Sequence, residues 1–260
     1  MAATNAPTQQ RPTRTIGATL AGILLLLSFA GPTLAQDVEP CSITGTEDFD
    51  LMFGTDGGDI VCGLGGNDLI FGMGGADLVR GGEGDDLIIG GADGDVLEGG
   101  PGNDTIFGGP GNDRLAGGPG NDDIRGGADM DSLAGGPGKD QLAGEAGNDS
   151  LDGGGGGDSL DGGDGNDSLG GNAGRDVMRG GPGNDWLDDA KGVDRFFGGP
   201  GRDSMYAADG GAGDRLSGGD GKDCADIDDR VAGPDKAKRD IERVRVHPPS
   251  TAFCPNPAAT

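Results

Sequence analysis

Aspartate recurs every nine residues through most of this 260-residue chain. The spacing holds without a break from Asp50 to Asp203, and after a two-residue insertion it resumes at Asp214 and Asp223, for twenty aspartates in one phase. A regular series of carboxylates offers hard oxygen ligands, and the chemistry to which such a series is best suited is the binding of a cation. An ordinary solvated acidic face would not keep one phase without exception.

The ligand type favours Ca²⁺ among the common metal ions. Ca²⁺ accepts about six to eight oxygen ligands in flexible geometry, whereas Mg²⁺ requires a stricter octahedron and gives up its waters reluctantly. Zinc prefers cysteine and histidine, and His247 is the only histidine in the chain. We therefore expect calcium as the bound cofactor.

The elements that must position these carboxylates follow from the same nine-residue period. In units counted from Gly45, the eighth position is apolar in all twenty and the fourth is glycine in sixteen. Glycine at positions one, two and four permits the positive φ of a tight turn, and the frequent asparagine at position five tolerates the left-handed region. Positions seven to nine then form a short strand with position eight facing inward.

Two such units make a coil of 18 residues. The pattern predicts an all-β fold, a right-handed parallel β-roll or β-solenoid of about ten coils, because one coil buries too little to be stable alone. The alternating segment from Ile241 to Val246 predicts a short capping strand at the C-terminal end.

The charge balance makes the cation a condition of folding. The chain has 45 acidic and 19 basic residues, a net charge of −26, which argues against nucleic acid or an anionic membrane as partner. Stacked carboxylates about 5 Å apart repel by about 1 kcal/mol in water and about 3 kcal/mol at an effective dielectric of 20. We therefore expect a largely disordered polyanion that folds when calcium binds.

The unit Gly-Gly-x-Gly-x-Asp-x-apolar-x resembles the calcium-binding nonapeptide of RTX, or haemolysin-type, proteins. The resemblance covers residues 45–226. It implies a β-roll with Ca²⁺ between successive turns on each edge, roughly one ion per repeat, held by the sixth-position aspartate and turn carbonyls. Units 45–53 and 189–197 depart from the turn pattern, so the resemblance does not decide whether they bind calcium. Asp50 and Asp223 belong to end units, which have a neighbouring unit on one side only.

The metal ligands implied by the resemblance are seventeen aspartates: Asp59, Asp68, Asp77, Asp86, Asp95, Asp104, Asp113, Asp122, Asp131, Asp140, Asp149, Asp158, Asp167, Asp176, Asp185, Asp194 and Asp203.

The first residues are typical of a secretory signal peptide. Arg11 and Arg14 precede an apolar run that is too short for a membrane span of about 20 residues, and a small-residue pattern predicts cleavage after Ala35. We expect a secreted, extracellular protein with no membrane span after signal removal. The chain resembles free-standing secreted bacterial calcium-binding repeat proteins. The predicted layout is a signal peptide (1–35), an N-terminal lead-in or cap (36–44), the β-roll (45–226), and a C-terminal cap with a Pro-rich tail (227–260).

Four cysteines fit an exported protein in an oxidising environment. Cys41 and Cys62 lie at one end of the mature chain, and Cys224 and Cys254 lie at the other. Three connectivities are possible, and the two local bonds, Cys41–Cys62 and Cys224–Cys254, are favoured.

No catalytic residues are predicted, because twenty similar turns build no distinct cleft and no base accompanies a nucleophile. We expect a non-catalytic structural or binding role. The alternative is a calcium-dependent adhesin or surface-assembly module that binds a protein or cell-surface partner through outward apolar side chains. These form a possible partner surface of Leu51, Phe53, Leu69, Phe71, Leu87, Ile89 and Phe107. The competing interpretation is that the lead-in, with Val38 and Ile43, covers this surface or that it only supports the end of the roll.

Overall fold

The structure is a computed structural model that describes residues 40–189, 191–207, 213–228, 236–237 and 243–247. Within these residues the chain forms 25 strands and no helix. All strand pairs are parallel, and they build two sheets of 14 and 11 strands. None of the described residues belongs to a helix long and apolar enough to cross a membrane.

Strands are numbered in chain order and alternate between the two sheets along most of the chain. The first sheet contains, in spatial order, β1 (Ile43–Thr44), β3 (Ile60–Gly65), β5 (Leu78–Glu83), β7 (Val96–Glu98), β9 (Arg114–Ala116), β11 (Ser132–Gly138), β13 (Ser150–Gly156), β15 (Ser168–Gly170), β18 (Trp186–Asp188), β21 (Ser204–Ala207), β23 (Cys224–Asp228) and β25 (Arg243–His247), with β16 (Ala173–Gly174) and β19 (Lys191–Gly192) beside this path. The second sheet contains β2 (Leu51–Phe53), β4 (Leu69–Gly74), β6 (Leu87–Ala92), β8 (Thr105–Pro110), β10 (Asp123–Ala128), β12 (Gln141–Ala146), β14 (Ser159–Asp164), β17 (Val177–Arg179), β20 (Arg195–Gly201), β22 (Arg215–Gly221) and β24 (Lys236–Ala237).

Strand register follows the coil length predicted from the sequence. Leu133 pairs with Leu151, an offset of 18 residues, and this offset holds through the central coils. Strand pairs that span the two-residue insertion have an offset of 20, as in the pairing of Arg195 with Arg215. The prediction of a parallel β-solenoid of about ten 18-residue coils is confirmed.

The core is a single line of position-eight side chains between the two sheets. These residues are at most 5% exposed, whereas their neighbours at positions seven and nine mostly face outward. The line comprises Met52, Val61, Ile70, Val79, Ile88, Leu97, Ile106, Leu115, Ile124, Leu133, Leu142, Leu151, Leu160, Leu169, Met178, Leu187, Phe196, Met205, Leu216 and Ala225. One buried residue per nonapeptide thus suffices, because each coil stacks on its two neighbours.

Turn glycines serve two different purposes. The described glycines at position two and most of those at position four adopt positive φ, as in Gly109 (119°) and Gly111 (140°). Glycine at position one does not, so the predicted reason for that position is wrong. There the need is space: a Cβ on Gly153 would lie 2.8 Å from Oδ2 of Asp158 and 3.1 Å from the carbonyl oxygen of Gly171.

The C-terminal strand predicted from Ile241 to Val246 is present as β25, shifted slightly along the chain to Arg243–His247. It pairs in parallel with β23 and so extends the first sheet. The predicted cleavage site after Ala35 and residues 36–39 of the predicted lead-in (36–44) lie outside the described residues.

Candidate metal sites along the two edges

An aspartate ladder runs along each edge of the roll, directly before the strands. In each step the backbone N–H of one position-six aspartate donates to Oδ1 of the position-six aspartate in the next coil, at 2.7–3.0 Å. From Asp68 onward these aspartates are at most 4% exposed. The parallel register therefore assigns one oxygen of each carboxylate to the neighbouring coil.

The second oxygen of most of these carboxylates is buried without a hydrogen bond. Of the seventeen predicted ligands, fifteen have such an Oδ2 atom, and Asp189 outside that set has another. The fifteen are Asp68, Asp77, Asp86, Asp95, Asp104, Asp113, Asp122, Asp131, Asp140, Asp149, Asp158, Asp167, Asp176, Asp185 and Asp203. A buried carboxylate oxygen without a partner is costly, so each of these atoms calls for a compensating positive charge.

The pKa values show the same imbalance. Burial raises the pKa of Asp104, Asp131 and Asp185 to about 7, and the neighbouring carboxylates of the ladder add to the shift. The backbone N–H that donates to each carboxylate lowers the pKa, but this offsets the effect of burial only partly. At neutral pH the ladder thus holds closely spaced carboxyl groups that ionise reluctantly unless a cation neutralises them.

Turn carbonyl oxygens lie beside the unpartnered carboxylate oxygens. Oδ2 of Asp158 and the carbonyl oxygen of Gly171 lie 2.8 and 3.1 Å from the position that a Cβ on Gly153 would take. Carboxylate and backbone carbonyl oxygens together are the donor set that Ca²⁺ prefers. The residues present therefore fit calcium, which would supply the positive charge that the ladder lacks.

The first two ladder residues are satisfied by the protein itself. The N–H and hydroxyl of Thr46 donate to Oδ2 of Asp50 at 2.6 and 2.9 Å. Thr55 donates in the same way to Asp59, with both bonds at 2.8 Å. Asp59 thus differs from the fifteen predicted ligands whose Oδ2 has no hydrogen bond. Sequence reasoning missed this, although threonine at position two of these two units was a visible signal.

A second ladder lies outside the first and involves position five. Oδ1 of Asn103 accepts both the backbone N–H and the side-chain Nδ2 of Asn121 at 2.9 Å, and Asn166 accepts the same pair from Asn184. Asn67, Asn103 and Asn112 do not adopt positive φ, so the predicted left-handed role of position five is wrong. These asparagines instead hold consecutive turns together.

Unit 189–197 brings a third carboxylate into the ladder. Asp189 occupies position one, where most units have glycine, and one carboxylate oxygen from each of Asp176, Asp189 and Asp194 lies within 4.8 Å of the others. Burial, followed by the charge of Asp194, raises the pKa of Asp189 to about 8. Sequence reasoning missed Asp189 as a site residue, although an acid at a glycine position was the signal.

The predicted apolar partner surface forms the outward side of one end of the second sheet. The rings of Phe53 and Phe71 stack at 5.1 Å between centroids, and the Arg125 guanidinium lies over Phe107. Leu51 and Phe53 are 55% and 53% exposed. Ile43 of the lead-in lies in the first sheet, so it does not cover this surface, and Val38 is outside the described residues.

The disulfide predicted between Cys41 and Cys62 is confirmed, with 6.0 Å between the Cα atoms. Cys224 is also disulfide-bonded. Its predicted partner Cys254 lies outside the described residues, so that pairing stays a prediction.

A parallel solenoid with buried carboxylate ladders on both edges defines a class of repeat protein in which cations complete the turns. The family described as RTX calcium-binding nonapeptide repeat (4 copies) matches residues 42–70, 63–97, 71–106, 98–133, 134–169 and 170–205. The chain belongs to this family and carries its calcium-binding repeats.

Among solved structures, the chain is similar to a hyperactive, Ca²⁺-dependent, β-helical antifreeze protein from an Antarctic bacterium. The two are 20% identical with a TM-score of 0.33, and the match covers 78% of this chain and 82% of the other. A comparison with curated proteins finds no match.

Proposed function

We propose that this protein is a secreted, non-catalytic calcium-binding roll that folds when Ca²⁺ enters the two edge ladders. The observation that carries the proposal is the series of buried Oδ2 atoms without hydrogen bonds. Without cations these carboxylates repel one another along each edge, and with cations the same geometry becomes stabilising.

The ions are held between consecutive coils by position-six aspartates and neighbouring turn carbonyls. The fifteen predicted ligands with an unpartnered Oδ2, from Asp68 to Asp203, are the core set. Asp59 contributes less to calcium binding, because Thr55 already donates two hydrogen bonds to its Oδ2. Stoichiometry in the regular coils is roughly one ion per repeat, since each repeat supplies one such carboxylate.

A secreted location is supported by two observations. RTX calcium-binding repeats are typical of extracellular bacterial proteins. Cys41 and Cys62 form a disulfide bond, which is stable mainly in oxidising compartments. The Ca²⁺ available outside cells would then complete folding after export.

A calcium titration followed by far-ultraviolet circular dichroism tests the proposal. The mature chain in EGTA should lack the β-signal and should gain it cooperatively as Ca²⁺ is added, with bound ions counted by equilibrium dialysis. Mg²⁺ at equal concentration is the control and should induce less structure, because its octahedral shell fits the ladder poorly. An unchanged spectrum between EGTA and saturating calcium would refute the proposal.

A second candidate function is calcium-dependent adhesion or assembly through the apolar partner surface. The half-exposed Leu51 and Phe53 favour it, since large apolar side chains that remain in contact with water mark candidate interfaces. Light scattering of the calcium-loaded chain should show assembly that Phe53→Ser with Phe71→Ser abolishes. Phe197→Ser is the matched control, because Arg179 and Arg195 already cover that ring. Equal scattering from the unsubstituted chain, the double variant and Phe197→Ser would exclude this role.

A further inference from the structure

Asp189 breaks the rule that position one stays free of a side chain. In the regular coils a Cβ at this position would collide with Oδ2 of the ladder aspartate in its own unit and with a carbonyl oxygen of the next coil, as at Gly153. Asp189 nevertheless fits, and it is only 3% exposed. Its side chain is therefore accommodated inside the edge of the roll.

The Asp189 carboxylate lies where the regular coils have a carbonyl oxygen. Beside Gly153, the oxygens nearest to a Cβ would be Oδ2 of Asp158 and the carbonyl oxygen of Gly171. One coil further along the same edge, beside Gly171, they are Oδ2 of Asp176 at 2.8 Å and Oδ2 of Asp189 at 2.6 Å. A neutral ligand atom of the regular turn is thus replaced by a charged one.

Two of the cluster's oxygens are buried without a hydrogen bond from the described residues. The Oδ2 atoms of Asp176 and Asp189 accept no hydrogen bond, and the side chains are 0% and 3% exposed. Within the described residues, neither carboxylate forms an ion pair with a basic side chain. Asp194 places a third carboxylate within 4.8 Å of both. Three buried carboxylates therefore surround one position, beside Gly171, and two of their oxygens are available to a cation.

We propose that Asp176, Asp189 and Asp194 form a distinct calcium site that binds more tightly than the regular repeat sites. Calcium affinity rises with the number of charged ligands, and a third carboxylate adds one negative charge at contact distance. The expected gain is about tenfold or more in affinity. This deepens the proposed function, on which it rests, because it assigns a higher affinity to the one described unit in which an acid replaces the first glycine.

Terbium luminescence can report on this site. Tb³⁺ replaces Ca²⁺ at oxygen sites and emits when a nearby indole absorbs. Trp186, the only tryptophan, lies three residues before Asp189, which places the two Cα atoms at most about 11 Å apart. In the full mature chain titrated with Tb³⁺ alone, the coils around this site should order first, so a sensitised component should saturate about tenfold below the Tb³⁺ concentration at the midpoint of the dichroism change. Ca²⁺ should displace that component.

Two variants remove the third carboxylate without removing the repeat. Asp189→Asn keeps the side-chain shape, and Asp189→Gly restores glycine at position one, so a folding defect is not the expected effect. Both should abolish the early luminescent component while the folding midpoint changes little. Asp129→Gly is the matched control, because it makes the same change at an exposed turn position distant in sequence, and it should keep the component.

The outcomes separate this site from the proposed function. An early component that Asp189→Asn removes supports the site, even if calcium does not change the dichroism spectrum. If the wild type shows no early component, or Asp189→Asn retains it, the tight site is refuted, even where calcium-dependent folding is observed.

Discussion

Asp95 donates its backbone N–H to Oδ1 of Asp113, eighteen residues later, across 2.7 Å. The other oxygen of Asp113 is buried and has no hydrogen bond. One carboxylate thus performs two tasks: it joins consecutive coils through one oxygen and presents the other to a cation. These two tasks can be separated by substitution.

Asp113→Asn should weaken calcium binding but retain the link between coils, because an amide oxygen can still accept the Asp95 N–H. The calcium midpoint should rise, while the metal-free state should become easier to fold as one repelling charge is lost. Asp113→Ala should lose both the ligand and the link, and thus cost a further 1 kcal/mol or so in saturating calcium. Calcium titrations and thermal unfolding of the two variants measure the difference. If the two variants have the same calcium midpoint and the same thermal stability, the two oxygens of Asp113 do not have separate roles.

Acid should fold the calcium-free chain. Asp104 and Asp131 have a pKa of about 7 in the folded roll, against about 3.9 in an unfolded chain. The folded state therefore binds more protons between these values, and its stability is greatest at low pH and falls as pH rises through about 7. In EGTA, the β-signal should grow as pH is lowered from about 7.5 to about 4.5. In limiting calcium, the same change should release ions, because protons compete for the carboxylates.

Gly108→Ala should destabilise the roll. A Cβ there would lie 2.6 Å from the carbonyl oxygen of Gly126 and closer still to Oδ2 of Asp113. The collision should cost about 1–3 kcal/mol and should raise the calcium midpoint. Gly155→Ala is the control, because nothing lies within 4 Å of its Cβ position, and it should be neutral or stabilising by up to about 1 kcal/mol. Chemical unfolding in saturating calcium compares the two; equal losses would count against the close approach at position one.

Thr46→Val and Thr55→Val should loosen the N-terminal coils. Each removes a hydroxyl that donates to a ladder carboxylate, worth about 1 kcal/mol. Amide hydrogen exchange in residues 45–62 should accelerate in calcium, with little change in the later coils. Thr105→Val removes an outward hydroxyl with no such bond and should leave exchange in these residues unchanged. If Thr105→Val accelerates exchange in residues 45–62 as much as the other two substitutions do, the hydroxyls of Thr46 and Thr55 do not stabilise these coils.

The fold was predictable because the period is strict. Position eight of each nonapeptide is apolar and position six is Asp, so coils can stack only in phase with the repeat. The observed pairing of Leu133 with Leu151 keeps that phase. The line of buried residues could likewise be read from the sequence. The Cys41–Cys62 bond was favoured by proximity along the chain alone, and the stacking of β1 on β3 brings the two residues together.

The details of the sites were less accessible, because they depend on which atoms face each other across coils. Spacing cannot show that Oδ1 of Asp113 is already used by Asp95, nor that asparagines at position five bond to the next turn. It also cannot show that Asp189 turns its side chain inward to Asp176. These features require the three-dimensional path of the turns.

The single buried side chain per nonapeptide has a consequence for how such a chain can change in length. Each coil contacts only its neighbours, so gain or loss of 18 residues in the regular region leaves every remaining contact intact. Gain or loss of nine would move all later units to the opposite sheet. The aspartate ladders would survive, but the stacked rings of Phe53 and Phe71 and the asparagine rows would end at the junction if it fell within them. Duplication of whole coils is therefore the neutral route by which the gene can lengthen. A change of half a coil interrupts the rows of stacked outward side chains.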